Sequence, residues 1–182
     1  MTIDNHKKLV TSCQRGDTQA QEALYRTFSP KMMVVAMRYS NSVHEAEDIL
    51  QEGFVKVFQK INTLNDHSKV EAWIRKVIVN TALNHSRSKL YMFPMVEVHD
   101  DSFTTDRDFG IPSLEVKDLL QLIQSLPDGC QIVFNMYAIE GFSHKEIAEE
   151  LHISEGTSKS QLSRARMLLR DKLGNRKGVK YG

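Results

Sequence analysis

The stretch from Gly141 to Arg170 limits this chain most, because it admits two helices joined by a tight turn and little else. Ser143 and Glu146 have the spacing of a capping box, in which hydroxyl and carboxylate each satisfy a backbone N–H at a helix start. Ile147, Ala148 and Leu151 then recur at helical spacing, and the small Ala148 leaves room for a second helix to cross closely. His152 falls where the chain must turn, a position that favours glycine because φ is positive there; a histidine holds it with some strain. Ile153 plugs the space between the helices, and Ser154 caps the second one. From Glu155 on, Leu162, Ala165, Met167, Leu168 and Leu169 supply an inner side, while Lys159, Ser160, Ser163, Arg164 and Arg166 supply a polar, basic one. This is the helix-turn-helix pattern, whose second helix fits a DNA major groove. The plainer reading of the same residues is a helical hairpin in an α-bundle with a solvated basic face.

A net charge of +1 over 182 residues is by itself a poor match to nucleic acid, but the charges are segregated. From Ser154 to the end, eight Lys and Arg stand against Glu155 and Asp171, a local balance of about +6. Glu140, Glu146, Glu149 and Glu150 make the segment just before it acidic. A basic end on a neutral protein gives local DNA affinity without general stickiness. No apolar run approaches the roughly 20 residues needed to span a bilayer, and the polar N-terminus has no signal-peptide core, so a cytoplasmic protein is expected. Cys13 and Cys130 lie far apart without a CxxC, which suits a reducing compartment and two unpaired thiols.

The remainder of the chain also reads as helix. Asp17 caps a helix to about Phe28, with Ala20, Ala23, Leu24 and Phe28 on one face. Ser29-Pro30 opens a second, from Lys31 to Tyr39, with proline at the first helical position. Ser42 with Glu45 opens a third to about Ile61, and Ser68 with Glu71 a fourth to about Leu90. Tyr91 to Pro112 differs: it holds Pro94, Gly110 and Pro112, its charges are acidic apart from Arg107, and no apolar period survives after Val98. It reads as a flexible acidic linker. Helical spacing resumes at Leu114 and stops at Pro127-Asp128-Gly129; another helix runs from Cys130 to Ile139 and ends at Gly141, an expected left-handed cap. The expectation is an all-α protein of two helical domains, residues 1–90 and 113–174, joined by the linker 91–112 and followed by a basic tail, 175–182.

Two helices carry faces that a core does not explain. On the third, Ala46, Leu50, Phe54, Val57 and Ile61 follow an inner face, while Asp48, Glu52, Val55 and Gln59, with Gln51 beside them, follow another. A face mixing acid, amide and one apolar residue suits a protein interface with a basic partner. On the fourth, Val70, Ile74, Val77, Ile78 and Thr81 face inward with Trp73 at the margin, and Lys76, Asn80, Asn84 and Arg87 form a stripe able to meet phosphates and base edges. The polar loop between them, Asn62 to Lys69, can hold an unstacked base. Enzyme signals are weak: no His, Cys and carboxylate set has metal-ligand spacing, and there is no GxGxxG, GxxxxGK[ST] or GxSxG. No metal, cofactor or catalytic residue is expected.

Together these stretches resemble bacterial RNA polymerase sigma factors of the extracytoplasmic-function (ECF) group, from about Leu9 to Leu173. The first half resembles region 2 of that family through Gly16-Asp17, Ala23-Leu24-Tyr25, Glu45 to Phe54, and Trp73-Ile74 with Asn80. The second half resembles region 4 through Leu126-Pro127, Glu140 to Ala148, and Ser154 to Ser160. The resemblance implies a non-enzymatic transcription initiation factor that binds core RNA polymerase and promoter DNA. Asp48, Gln51, Glu52 and Val55 would bind the clamp of the largest core subunit. Asn62, Asn65 and His67 of the loop, with Lys76, Asn80, Asn84 and Arg87, would read and open the −10 element. Thr157, Lys159, Ser160, Ser163 and Arg164 would meet the −35 element, and the linker would thread through the polymerase. An anti-sigma factor is a further implied partner, of a kind that is often membrane-anchored, with no membrane insertion by this chain itself.

The chain departs from the family pattern at three positions. Ser158 and Gln161 stand where many members carry an apolar and a basic residue, and His152 replaces the usual turn glycine. Gln161 is expected to bear on which bases are read. The rival reading is a helix-turn-helix regulator whose N-terminal helices sense a ligand or partner; it would hold its operator alone, whereas a sigma factor needs core polymerase.

Overall fold

The computed structural model describes residues 3–92 and 114–179, with side chains at 5–86 and 116–174. The described residues form eight α-helices with short helical turns between them and no strand: α1 (Ile3–Gln14), α2 (Thr18–Met37), α3 (Val43–Lys60), α4 (Val70–Met92), α5 (Leu114–Gln124), α6 (Asp128–Phe134), α7 (His144–Leu151) and α8 (Glu155–Val179). The described residues divide into two compact units, one of residues 3–84 and one of residues 85–92 and 114–179. The all-α, two-domain expectation holds. The expected acidic linker lies outside the described residues, apart from Tyr91 and Met92, which close α4.

In the first unit the helix starts differ from the local reading in three places. An extra helix, α1, precedes Gly16. Gly16 takes φ +81°, its N–H reaching the Cys13 carbonyl at 3.0 Å and that of Asp17 the Ser12 carbonyl at 3.2 Å. This left-handed closure stops α1. Asp17 then starts α2 at once, its Oδ1 accepting from the N–H groups of Gln19 (2.9 Å) and Ala20 (3.2 Å). The Gly16-Asp17 pair is thus one stop and one start.

The second difference is at Pro30, where two helices were expected and a single helix passes through from Thr18 to Met37. An interior proline removes one backbone bond and costs about 3 kcal/mol in a helix. Here Phe28, Met32, Met33, Val35, Ala36 and Met37 are buried on both sides of it while Pro30 itself is exposed. Continuous burial offsets the local defect. Ala23, expected on the inner face of this helix, is exposed.

The third difference is the cap before α4. Ser68 and Glu71 do not form a capping box. Asp66 Oδ1 accepts from the Ser68 N–H (3.1 Å) and hydroxyl, opening a 3₁₀ turn, His67–Lys69, that runs into α4. Glu71 instead pairs with Lys31 of α2 at 2.8 Å. At α3 the expected box is half formed: the Ser42 hydroxyl accepts from the Glu45 N–H at 3.1 Å, but Glu45 accepts from the Asn41 N–H at 3.0 Å.

The inner face of α3 is as expected: Ala46, Leu50, Phe54, Val57 and Ile61 are all buried. So are Val70, Ile74, Ile78 and Thr81 of α4, with Val77 and Trp73 half-buried. Gly53, in the middle of α3, is also buried; a Cβ built there would overlap the Cδ1 methyl of the fully buried Ile78 and stand 3.6 Å from its Cα. Mid-helix glycine costs roughly 1 kcal/mol relative to alanine. It is placed where the Ile78 side chain of α4 packs onto the backbone of α3. Both thiols are buried and neither is in a disulfide; burial, helped by Asp17, pushes that of Cys13 up to about 11, so it stays protonated.

In the second unit α6 and α7 both pack on α8. Leu126, Cys130 and Ala165 form one buried cluster, with Phe134, Leu168 and Leu169 against it. The helix expected from Cys130 to Ile139 starts at Asp128 and widens into a π-helical turn, Asn135–Ile139, closed by Gly141 at φ +80°. α8 does not stop at Gly174 but continues to Val179, so the first residues of the expected basic tail are helical.

The capping box at α7 is complete. Ser143 Oγ accepts from the Glu146 N–H at 3.3 Å, and Glu146 Oε2 accepts from the Ser143 N–H at 2.8 Å and from its hydroxyl at 2.7 Å. The Ser143 hydroxyl, then its N–H, hold the Glu146 carboxyl below its ordinary value of 4.5. Ser68 does the same for Asp66 below 3.8, again with the hydroxyl foremost.

Two outcomes follow from these contacts. Gly53→Val should lower unfolding free energy by about 1–3 kcal/mol in chemical denaturation by overpacking the α3–α4 contact, whereas Val55→Ala, at a position 50% exposed, should stay within about 0.5 kcal/mol. Ser143→Ala should raise the Glu146 pKa toward 4.5 in an NMR titration. A depressed carboxyl contributes stability above its unfolded pKa and loses it as pH falls through the folded one. The stability gap between wild type and Ser143→Ala should therefore narrow as pH falls below 4.5.

Candidate nucleic-acid interface and protein-docking face

α8 presents the candidate DNA-reading residues because its inner face is fixed by three neighbours. Ser154 starts it, its Oγ accepting from the Thr157 N–H at 2.9 Å and sharing a hydrogen bond with the Thr157 hydroxyl at 2.9 Å. His152, at the turn before it, takes φ 53° and ψ 44°, and the N–H groups of His152 and Ile153 both reach the Ala148 carbonyl. The left-handed turn expected from the sequence is present, on a histidine.

Ser158, Leu162 and Ala165 are buried against α6 and α7. The Ser158 hydroxyl, fully buried, lies 2.9 Å from His144 Nδ1 of α7. Its departure from an apolar residue is thus answered by a hydrogen bond across the two helices, as a buried hydroxyl requires. Gln161 also faces inward: its Oε1 accepts from the Cys130 thiol at 2.9 Å, and its side chain lies against Gly129. Gln161 is half-buried, and its amide oxygen is engaged with α6. Met167, expected on the inner side, is 50% exposed. Two residues beyond Ala165 it is about 200° further around the helix.

Thr157, Lys159, Ser160, Ser163 and Arg164 are all exposed on α8. At about 100° per residue Ser160 and Ser163 occupy the middle of that face, and Lys159 and Arg164 flank it, some 140° apart. Lys159 pairs with Glu155 at 3.4 Å within the same helix. Both ends of that pair are over half exposed, so it is weak. The Ser160 hydroxyl donates to the Thr157 carbonyl at 2.9 Å. Arg166 leaves this face: its guanidinium stands 5.7 Å from the Tyr137 ring centroid, and Tyr137 stacks on His144 at 4.5 Å. Tyr137 lies in the π-helical turn, which apolar spacing does not reveal.

In the first unit Asp48, Gln51, Glu52 and Val55 are all exposed along α3, at intervals that keep them on one stripe. Glu52 pairs with Lys56 at 2.6 Å, and Asp48 lies 3.6 Å from His44. Lys56 also reaches Thr81 of α4 at 3.4 Å. Helical pairs of this spacing contribute about 0.3–0.5 kcal/mol, little enough for a basic partner to displace. Beside the stripe a groove of about 580 Å³ opens between α2 and α3, lined by Tyr25, Ser29, Pro30, Met33, Glu47, Leu50 and Gln51. Tyr25, 40% exposed, stands at 4.7 Å edge-on to Phe54. The sequence did not single out this groove, because it depends on α2 continuing through Pro30.

Asn62 and Asn65 are exposed in the turns after α3, and His67 is half-buried. Lys76, Asn80 and Asn84 are exposed at four-residue intervals along α4. Arg87 lies on the same helix, in the part described by its backbone alone. No helix among the described residues is long and apolar enough to cross a membrane.

Comparison with known proteins agrees with this layout. The family model for sigma-70 region 2 matches residues 24–90, and that for sigma-70 region 4 matches residues 117–169. The chain is 26% identical over 178 residues to the RNA polymerase sigma-H factor of Pseudomonas aeruginosa, covering 91% of this chain and 92% of that one. It is 28% identical over 183 residues to the ECF RNA polymerase sigma factor SigW of Bacillus subtilis, covering 92% and 96%. Its fold is similar to that of the sigma factor RpoE in the solved complex with the anti-sigma factor NepR from Bartonella quintana, at a TM-score of 0.52 and 21% identity, over 84% of this chain and 96% of that one. Two sigma-70 regions matched in the same order along the chain place it in the sigma-70 family, as a member of its extracytoplasmic-function group.

Proposed function

We propose that this chain works as a sigma factor through three separate surfaces: the acidic stripe of α3 docks on core RNA polymerase, the loop after α3 and the outer stripe of α4 meet the −10 element, and the exposed face of α8 meets the −35 element. As an ECF-group sigma factor it binds core polymerase and directs promoter-specific initiation. The observation that carries the division of labour is the pairing of an exposed Asp48/Gln51/Glu52/Val55 stripe in the region 2 unit with an exposed Lys159-to-Arg164 face in the region 4 unit. The −10 set is Asn62, Asn65, His67, Lys76, Asn80, Asn84 and Arg87. The −35 set is Thr157, Lys159, Ser160, Ser163 and Arg164. A lone operator-binding regulator is not favoured, since both matched regions are sigma regions.

The remaining parts of the reading follow. The chain acts in the cytoplasm and carries out no reaction itself, the chemistry of RNA synthesis belonging to core. Residues 91–112 serve as a linker between residues 1–90 and 113–174. An anti-sigma factor restrains it, a reading supported by the solved complex of its structural relative RpoE with NepR.

Transcription reconstituted with core tests the assignments. Asp48→Lys combined with Glu52→Lys should abolish capture of core while leaving helical content and melting unchanged; capture at the wild-type level removes these residues from the docking face. Arg forks onto guanine O6 and N7, whereas Lys more often supplies a point charge. On a template pool randomised across the upstream element, Arg164→Ala should cost about 1–3 kcal/mol at one position and relax preference there. Lys159→Ala should weaken all sequences alike and reduce the salt slope by about one. An unchanged preference with Arg164→Ala excludes that residue from base reading.

A further inference from the structure

The loop between α3 and α4 is shaped by local bonds, but these do not fix where it sits on the bundle. Asp66 closes its second turn, and the Thr63 hydroxyl donates to the Lys60 carbonyl at 2.8 Å. Besides the burial of Ile61 and Leu64, its polar ties to the bundle come from α1. Gln14 Nε2 donates both its hydrogens to loop carbonyls, at 3.0 Å to Ile61 and 3.2 Å to Leu64, 47 and 50 residues away along the chain. Thr11, one turn earlier on the same helix, lies 3.3 Å from His67 Nδ1. The Thr11 hydroxyl also donates to the Lys7 carbonyl at 2.9 Å, within α1. Ile61 and Leu64 are buried while Asn62, Thr63 and Asn65 are exposed. The loop is therefore clasped by its backbone on one side, with its amide side chains presented on the other.

We propose that α1 is the positioning element of the promoter-opening loop, and that Gln14 and Thr11 hold it. The proposal rests on the reading that Asn62, Asn65 and His67 meet the −10 element. Capturing a base that has left the duplex needs polar groups already in place, and a recognition site must be held to within about 0.5 Å by supporting contacts. Gln14 and Thr11 supply that support without touching DNA. Their loss should slow strand opening and leave core docking and upstream-element binding untouched.

The test uses holoenzyme assembled from the full chain and core, on a promoter that wild-type holoenzyme selects from a randomised DNA pool. Opening is followed by permanganate reactivity of unpaired thymines. Gln14→Met, which keeps the side chain's length and removes the donor, should open the duplex about tenfold more slowly, with core affinity and duplex retention unchanged. Asn62→Ala with Asn65→Ala should also slow opening, and adding Gln14→Met to that pair should cost little more, because the clasp acts through those residues. Should Gln14→Met melt below the assay temperature, Thr11→Val, which removes the hydroxyl and keeps the shape, takes the same assay and the same expected direction. Wild-type opening by Gln14→Met alongside slow opening by the loop variant overturns the clasp and spares the loop reading. A fully additive triple variant also overturns the clasp. Wild-type opening by the loop variant overturns the reading of the loop itself, and the clasp with it.

Discussion

The crossing of α7 over α8 determines what the second unit can do, and a buried hydroxyl sits at its centre. Ser158 is fully buried, and His144 meets it at 2.9 Å. The net contribution of such a bond is only about 0.5–1.5 kcal/mol, but an unmet buried hydroxyl would cost about 1–3 kcal/mol. The pair therefore specifies one seating of α8 more than it adds stability. His144 is held in turn by the Tyr137 ring, and Tyr137 by Arg166. With Ser158, Leu162 and Ala165 turned inward, geometry leaves Ser160 and Ser163 outermost and Lys159 and Arg164 on the flanks. The proposed reading face is what the inner contacts leave over.

The first unit follows the same logic with apolar contacts. α3 has one face in the core and the other in solvent, so its exposed stripe is as rigid as the packing beneath it. Gly53 lets Ile78 of α4 come close, and Lys56 bridges from the Glu52 side of α3 to Thr81. The loop joining α3 and α4 is then short, turned twice by 3₁₀ segments, and open to solvent at Asn62 and Asn65. The proposed polymerase-docking face and the proposed base-capturing loop share one small core.

Much of this was legible because its cause is local. Ser143 with Glu146, Asp17, the positive φ at Gly141 and the turn at His152 are all set within a few residues, and each is found as read. The alternating faces of α3 were legible because burial there follows helical period without interruption. What failed depends on partners far along the chain. Ser29-Pro30 looks like a helix start, yet burial of Phe28, Met32 and Met33 carries α2 through it. Glu71 looks like half a capping box, yet Lys31, 40 residues away, takes it and leaves Asp66 to cap. The bond between Gln161 and the Cys130 thiol of α6 was not legible either, because 31 residues separate them. α1 escaped notice because few of its residues are apolar, and its anchors lie in another loop. The π-helical turn that carries Tyr137 has no signature in apolar spacing.

The central claim is that this chain selects promoters only as part of a polymerase. The most direct measurement is binding of one selected promoter fragment to the chain alone, to core alone and to the two combined, at a fixed salt concentration. The account predicts specific retention and a permanganate-reactive −10 segment with the combination only. Tight, sequence-specific retention by the chain alone, unaltered by core and without strand opening, would contradict it.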